Sequence, residues 1–103
     1  MSIRVLIADD HRIMRDGLRA MLEKEPDIKV VGEAADGRMA QLLARDLAPD
    51  VIIMDVNMPE LNGIEATRQI TADLREVKII ALSMQRSAFC VKHAQGWGGW
   101  LYA

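Results

Sequence analysis

Four short runs rich in Val, Ile and Leu (Ile3–Ala8, Ile28–Glu33, Val51–Asp55 and Val77–Ser83) alternate with stretches of helical period, which constrains the fold more than any other feature. Runs apolar on both faces are the signature of parallel strands covered by helices on both sides. The pattern therefore predicts an α/β chain with a doubly wound parallel sheet. Ile13, Met14, Gly17, Leu18, Met21 and Leu22 form a broad apolar stripe on a first helix, which Pro26-Asp27 ends. Asp36-Gly37 makes a turn, Ala40, Leu43, Ala44 and Leu47 mark a second helix, and Pro49-Asp50 returns the chain to the sheet. Asn57-Met58-Pro59 and Asn62-Gly63 are loop signals before a third helix with Ile64, Thr67, Ile70 and Leu74 on its apolar side. A fourth helix is expected from Ser87 to about Gln95. Gly96-Trp97-Gly98-Gly99 then breaks regular structure and leaves Trp100-Leu101-Tyr102 as a short fifth strand.

With 103 residues, half of them apolar, the chain can close one modest core, and residues 1–103 read as a single domain. A formal charge of −2 offers no basic footprint for nucleic acid, so direct DNA binding by this chain is not expected. The single cysteine, Cys90, forms no internal disulfide, and no basic segment followed by an apolar stretch marks a secretory signal. The first strand is too short to span a bilayer. The expected compartment is the cytoplasm, with no membrane partner.

Three carboxylates stand where two strands end: Asp9 and Asp10 after Ala8, and Asp55 after Met54. Ligand sites of α/β sheets lie outside the carboxyl ends of the strands, and carboxylates brought close together repel unless one takes a proton or a cation sits between them. A hard divalent cation such as Mg2+ is the natural occupant, with Asp10, Asp55 and a loop carbonyl as ligands and Asp9 in support. A carboxylate can also accept a phosphoryl group once charge is neutralised, and Asp55, alone at the end of a central strand, suits the nucleophile's role. The plainer reading of any one of these acids is a solvated strand cap.

Ser83 ends the fourth strand, where its hydroxyl could reach a phosphoryl oxygen on Asp55 or cap a following helix. His11 is expected to begin the first helix and face water, and His93 carries less weight still. Cys90, between Phe89 and Val91, reads as a small buried hydrophobe, and the seven methionines mostly as core filler.

Taken together, Val5-Leu6-Ile7-Ala8-Asp9-Asp10-His11, Ile52-Ile53-Met54-Asp55-Val56-Asn57-Met58-Pro59 with Gly63, and Ala81-Leu82-Ser83 resemble a bacterial response regulator receiver domain. The match runs from about Ile3 to Ser83. Arg15-Asp16-Gly17-Leu18 and Val31-Gly32-Glu33-Ala34 make it most similar to the receiver at the amino end of LuxR/NarL-type transcription regulators. The resemblance implies a flavodoxin-like sheet of strand order 2-1-3-4-5. It further implies that Asp55 accepts a phosphoryl group from a histidine kinase, that Asp9 and Asp10 bind Mg2+ with the Asn57 main-chain carbonyl, and that Ser83 is the switch hydroxyl.

Residues 84–103 depart from that pattern. Aligning Gly99-Trp100-Leu101 with the family's glycine, aromatic and aliphatic residues makes Trp100 the switch aromatic and puts Ala103 where the switch lysine belongs. Neither a fifth helix nor a DNA-binding domain is expected within residues 1–103. The sheet face and the flank of the first helix that such a helix covers are then expected to be exposed, which points to self-association. Exchange of the C-terminal segment about a Gly96–Gly99 hinge, with Trp97, Trp100 and Tyr102 as anchors, is one form of it; an irregular, altered tail is the other reading.

The leading function is a phosphoaccepting switch in two-component signalling, not an enzyme acting on an external substrate. Three alternatives stand beside it. A receiver-like interaction module would take no phosphate. A phosphatase or phosphotransferase of the haloacid dehalogenase kind needs a second acid two residues beyond its nucleophile, where this chain has Asn57. A flavin or nucleotide binder on the same fold would carry a Gly-, Ser- or Thr-rich loop in place of Asp9-Asp10.

Overall fold

The computed structural model describes residues 2–55, 63–73, 76–83, 88–93 and 96–102. Its elements run β1 (Ile3–Ala8), α1 (Arg12–Glu23), β2 (Ile28–Ala34), α2 (Gly37–Leu47), β3 (Val51–Asp55), α3 (Gly63–Asp73), β4 (Lys78–Ser83), β5 (Ala88–His93) and β6 (Gly96–Tyr102). The first four strands form a parallel sheet in the order β2-β1-β3-β4, as the sequence predicts.

Two apolar layers hold the sheet. On one face α2 and α3 cover Leu6, Ala8, Ile52, Met54 and Ile79 with Ala40, Ala44, Ala66 and Ile70, all essentially without solvent contact. On the other face α1 lays Leu18 and Leu22 over Val5, Ile7 and Val30. That second layer is thin. No residue of α1 is fully buried, and Val51, Ile53, Ile80 and Leu82 are only partly covered. Ile13 and Met21 of the expected apolar stripe are 88% and 62% exposed. The stripe is thus wider than the sheet surface α1 occupies among the described residues.

Local chemistry sets the helix ends. The Asp36 carboxylate accepts a hydrogen bond from the Met39 N–H at 2.8 Å and caps α2. Ala48 closes the same helix in the left-handed region at φ 43°, with its N–H on the Ala44 carbonyl. In β2 the register slips, so that Val5 pairs with Val30 but Leu6 with Gly32. The unpaired Val31 is a bulge, and it inverts the facing of the strand. Ile28 and Val30 lie under α1, whereas Gly32 packs against Leu43 and Leu47 of α2 and Ala34 joins the α2 layer.

The C-terminal segment corrects the sequence reading. The fourth helix expected over residues 87–95 is strand β5, antiparallel to β4, and β6 adds a sixth, antiparallel strand at the edge. Four positions separate Ser83 from Ala88, too few for the crossover that a parallel fifth strand requires. With β4 offering a free edge, a short run such as Ala88-Phe89-Cys90-Val91 gains a ladder of hydrogen bonds by folding straight back. Gly96–Gly99, expected to break regular structure or serve as a hinge, lies within β6, and the segment pairs with its own chain. Among the described residues no helix is long and apolar enough to cross a membrane.

Candidate functional site

The three acids converge as the strand order requires. β1 and β3 are neighbours in register, with Ala8 opposite Met54, so the next residues, Asp9 and Asp55, stand side by side at the carboxyl edge of the sheet. The Asp9 N–H donates to the Ala34 carbonyl at 3.0 Å, tying the start of the turn to β2. Asp9 and Asp55 are buried, at 1% and 3% exposure, while Asp10 faces outward. One oxygen of each carboxylate and a ring nitrogen of His11 all lie within 4.8 Å of one another.

His11 has a larger part than its sequence suggests. Its ring is mostly exposed, yet Nδ1 lies 3.0 Å from Asp9 Oδ1, 3.0 Å from Asp10 Oδ1 and 4.0 Å from Asp55 Oδ2. Its main-chain N–H also donates to Asp9 Oδ1 at 2.8 Å. The hydrogen bond to Asp9 and the charges of Asp10 and Asp9 raise the imidazole pKa above its ordinary value. When protonated, the ring supplies positive charge where three carboxylates meet. The sequence signal was the position of His11 directly after the acid pair, which allows its ring to fold back on the turn.

This donor set suits a hard divalent cation. Carboxylate oxygens from two strands converge, and the second oxygen of Asp9, Oδ2, is buried with no hydrogen-bond partner among the described residues. An unsatisfied buried carboxylate oxygen costs folding energy unless something positive reaches it. A magnesium ion with one or two carboxylates and water in its octahedral shell answers that need.

Of the other expected site residues, Ser83 ends β4 one residue beyond the Asp55↔Leu82 pair, on the strand beside Asp55 and at the same edge of the sheet. Asn57 and Ala103 lie outside the described residues. Trp100 lies on β6, opposite Cys90, which in turn pairs with Ala81. One whole strand, β5, therefore separates its backbone from β4, a distance of two strand spacings or about 10 Å. The switch aromatic was expected on the strand next to β4, and the hairpin displaces it.

Comparison with known proteins agrees with this geometry. The family model described as response regulator receiver domain matches residues 5–102. The transcriptional regulatory protein LiaR of Bacillus subtilis is 54% identical over 81 residues, covering 79% of this chain and 38% of LiaR. The response regulator protein VraR of Staphylococcus aureus is 45% identical over 83 residues, covering 81% of this chain and 40% of VraR. The chain thus spans about two fifths of the length of these curated relatives. Among solved structures, a LuxR-family two-component response regulator from Aurantimonas superposes with a TM-score of 0.77 at 39% identity, over 82% of this chain and 60% of that one. The response regulator domain of Thermotoga maritima CheB gives 0.75 at 44% identity, over 81% and 61%.

Proposed function

Because the chain belongs to the response regulator receiver domain family, we propose that it is a phosphoaccepting signalling switch with Asp55 as the acceptor. The observation that carries this reading is the buried Asp55 carboxylate at the end of a central strand, gathered with Asp9 and Asp10 at one edge of the sheet. Asp9, Asp10 and Asp55, with the Asn57 carbonyl, would hold Mg2+. Bound there, the ion supplies charge neutralisation between the acceptor carboxylate and the incoming phosphoryl group.

An Asp55 carboxylate oxygen attacks phosphorus. A new O–P bond forms as the donor's P–N bond breaks in a histidine kinase, or its P–O bond in a small acyl phosphate, and the donor leaves with that bonding pair. Burial holds Asp55 in one orientation, and Ser83 on the neighbouring strand would donate its hydroxyl to a phosphoryl oxygen. The added charge then shifts the balance between two conformers. The proposal places this exchange in the cytoplasm with a sensor histidine kinase as partner. It also includes association between copies of the chain, supported by the exposed Ile13 and Met21 flank of α1.

Incubation with a small acyl phosphate is expected to add the mass of one phosphoryl group to the intact chain with Mg2+ present, and none when a chelator removes it. Equal labelling with and without the metal would contradict the site described above.

A further inference from the structure

A chain of contacts runs from the sheet's edge strand to the turn that carries the acid pair. Arg15, on the first turns of α1, donates from Nη1 to the main-chain carbonyl of Asp9 at 2.6 Å. Its Nε lies 3.4 Å from Glu33 Oε1 on β2, and both side chains are largely screened from solvent. Arg19, one turn further along, holds the other Glu33 oxygen through Nη1 at 2.5 Å. Glu33 faces α1 only because of the bulge at Val31. In a regular strand of the same residues, alternation from Val30 would turn Glu33 to the α2 side.

We infer that Arg15, fixed by Glu33, is a positioning residue that holds the Asp9-Asp10 turn in reach of Asp55 and so sets the affinity for the divalent cation. This rests on the acid cluster being a cation site, as proposed above. Arg15 grips the carbonyl of the peptide that joins the two acids rather than a carboxylate of the pair. The planar guanidinium suits this task, since one fork can meet a carbonyl and a carboxylate at once, which an ammonium group does poorly. Glu33 also neutralises a positive charge that would otherwise oppose a cation at the site. Two effects of opposite sign meet at Arg15, its charge and its grip on the turn, and the neutralisation by Glu33 lets the grip dominate.

The test is Mg2+ titration by calorimetry of the whole chain and its variants, with the urea midpoint measured alongside. Arg15→Met, which keeps the apolar stem, is expected to weaken Mg2+ binding by ~10-fold or more, as loss of outer-shell support around a metal typically does. Arg15→Lys is expected to recover part of that loss. Glu33→Gln also weakens binding, and the double variant binds no worse than Arg15→Met alone, because Glu33 acts through Arg15. Leu22→Ala, which thins the same helix–sheet contact away from the network, lowers the urea midpoint and leaves Mg2+ affinity unchanged. Unchanged or tighter binding in Arg15→Met, or an equal loss in Leu22→Ala, overturns the positioning role while the cation site stands. A parent chain that binds no Mg2+ overturns the cation site itself, and the inference with it.

Discussion

Asp55→Asn is expected to gain no phosphoryl group when incubated with Mg2+ and a small acyl phosphate, whereas the parent chain gains one, as intact mass will show. The substitution keeps the size and planarity of the side chain, so the packing at the end of β3 survives. What it removes is the anionic oxygen proposed to attack phosphorus. It also removes one of three like charges crowded within one cluster, so the variant is expected to be at least as stable as the parent in metal-free buffer. Loss of labelling together with retained or raised stability separates a chemical role from a structural one. An adduct that persists in Asp55→Asn would mean that another residue accepts the group.

Self-association is the second large expected effect. The flank of α1 turned away from Arg15 and Arg19 carries Ile13, Gly17 and Met21, and it borders the sheet surface where Val51, Ile53, Ile80 and Leu82 are only partly covered. Contiguous exposed apolar surface is where an interaction face is expected. The sedimentation coefficient of the parent chain is therefore expected to rise with concentration. Fully burying an aliphatic side chain is worth about 1.5–3 kcal/mol. Replacing both Ile13 and Met21 by lysine is then expected to weaken association by ~100-fold or more. A parent chain that stays monomeric at high concentration, or a double variant that associates equally well, would remove this part of the account. Exchange of the C-terminal segment is not required for it, because β5 and β6 already pair within their own chain.

The four parallel strands were legible because each is a clean apolar run bounded by turn chemistry: β1 and β3 fall on the expected residues, and β2 and β4 differ by one residue at an end. The acids were legible for the same reason, since strand ends in a parallel sheet fix which residues share an edge. Ala88–His93 was misread because a short apolar run carries too little periodicity to separate strand from helix. A free sheet edge, a tertiary fact, decided it. The expectation that His11 starts α1 and faces water holds, but its contacts with the acids and those of Glu33 were not legible, on different grounds. The fold-back of His11 depends on the turn's backbone, and the facing of Glu33 depends on a one-residue bulge at Val31 that period-two counting cannot reveal. Arg15 and Glu33 did stand within the segments that set the chain apart as LuxR/NarL-like, but their mutual contact required the fold.

Chemical trapping can locate the phosphoryl group, which the proposed function assigns to one carboxylate, Asp55. Brief labelling with an acyl phosphate and Mg2+, reduction with borohydride, and peptide sequencing by mass spectrometry convert a phosphorylated aspartate into homoserine at its own position. Homoserine at Asp55, with Asp9 and Asp10 intact, is the predicted result. Homoserine at Asp9 or Asp10 with Asp55 unmodified, or a phosphoryl group mapped to Ser83 or His11, would contradict it.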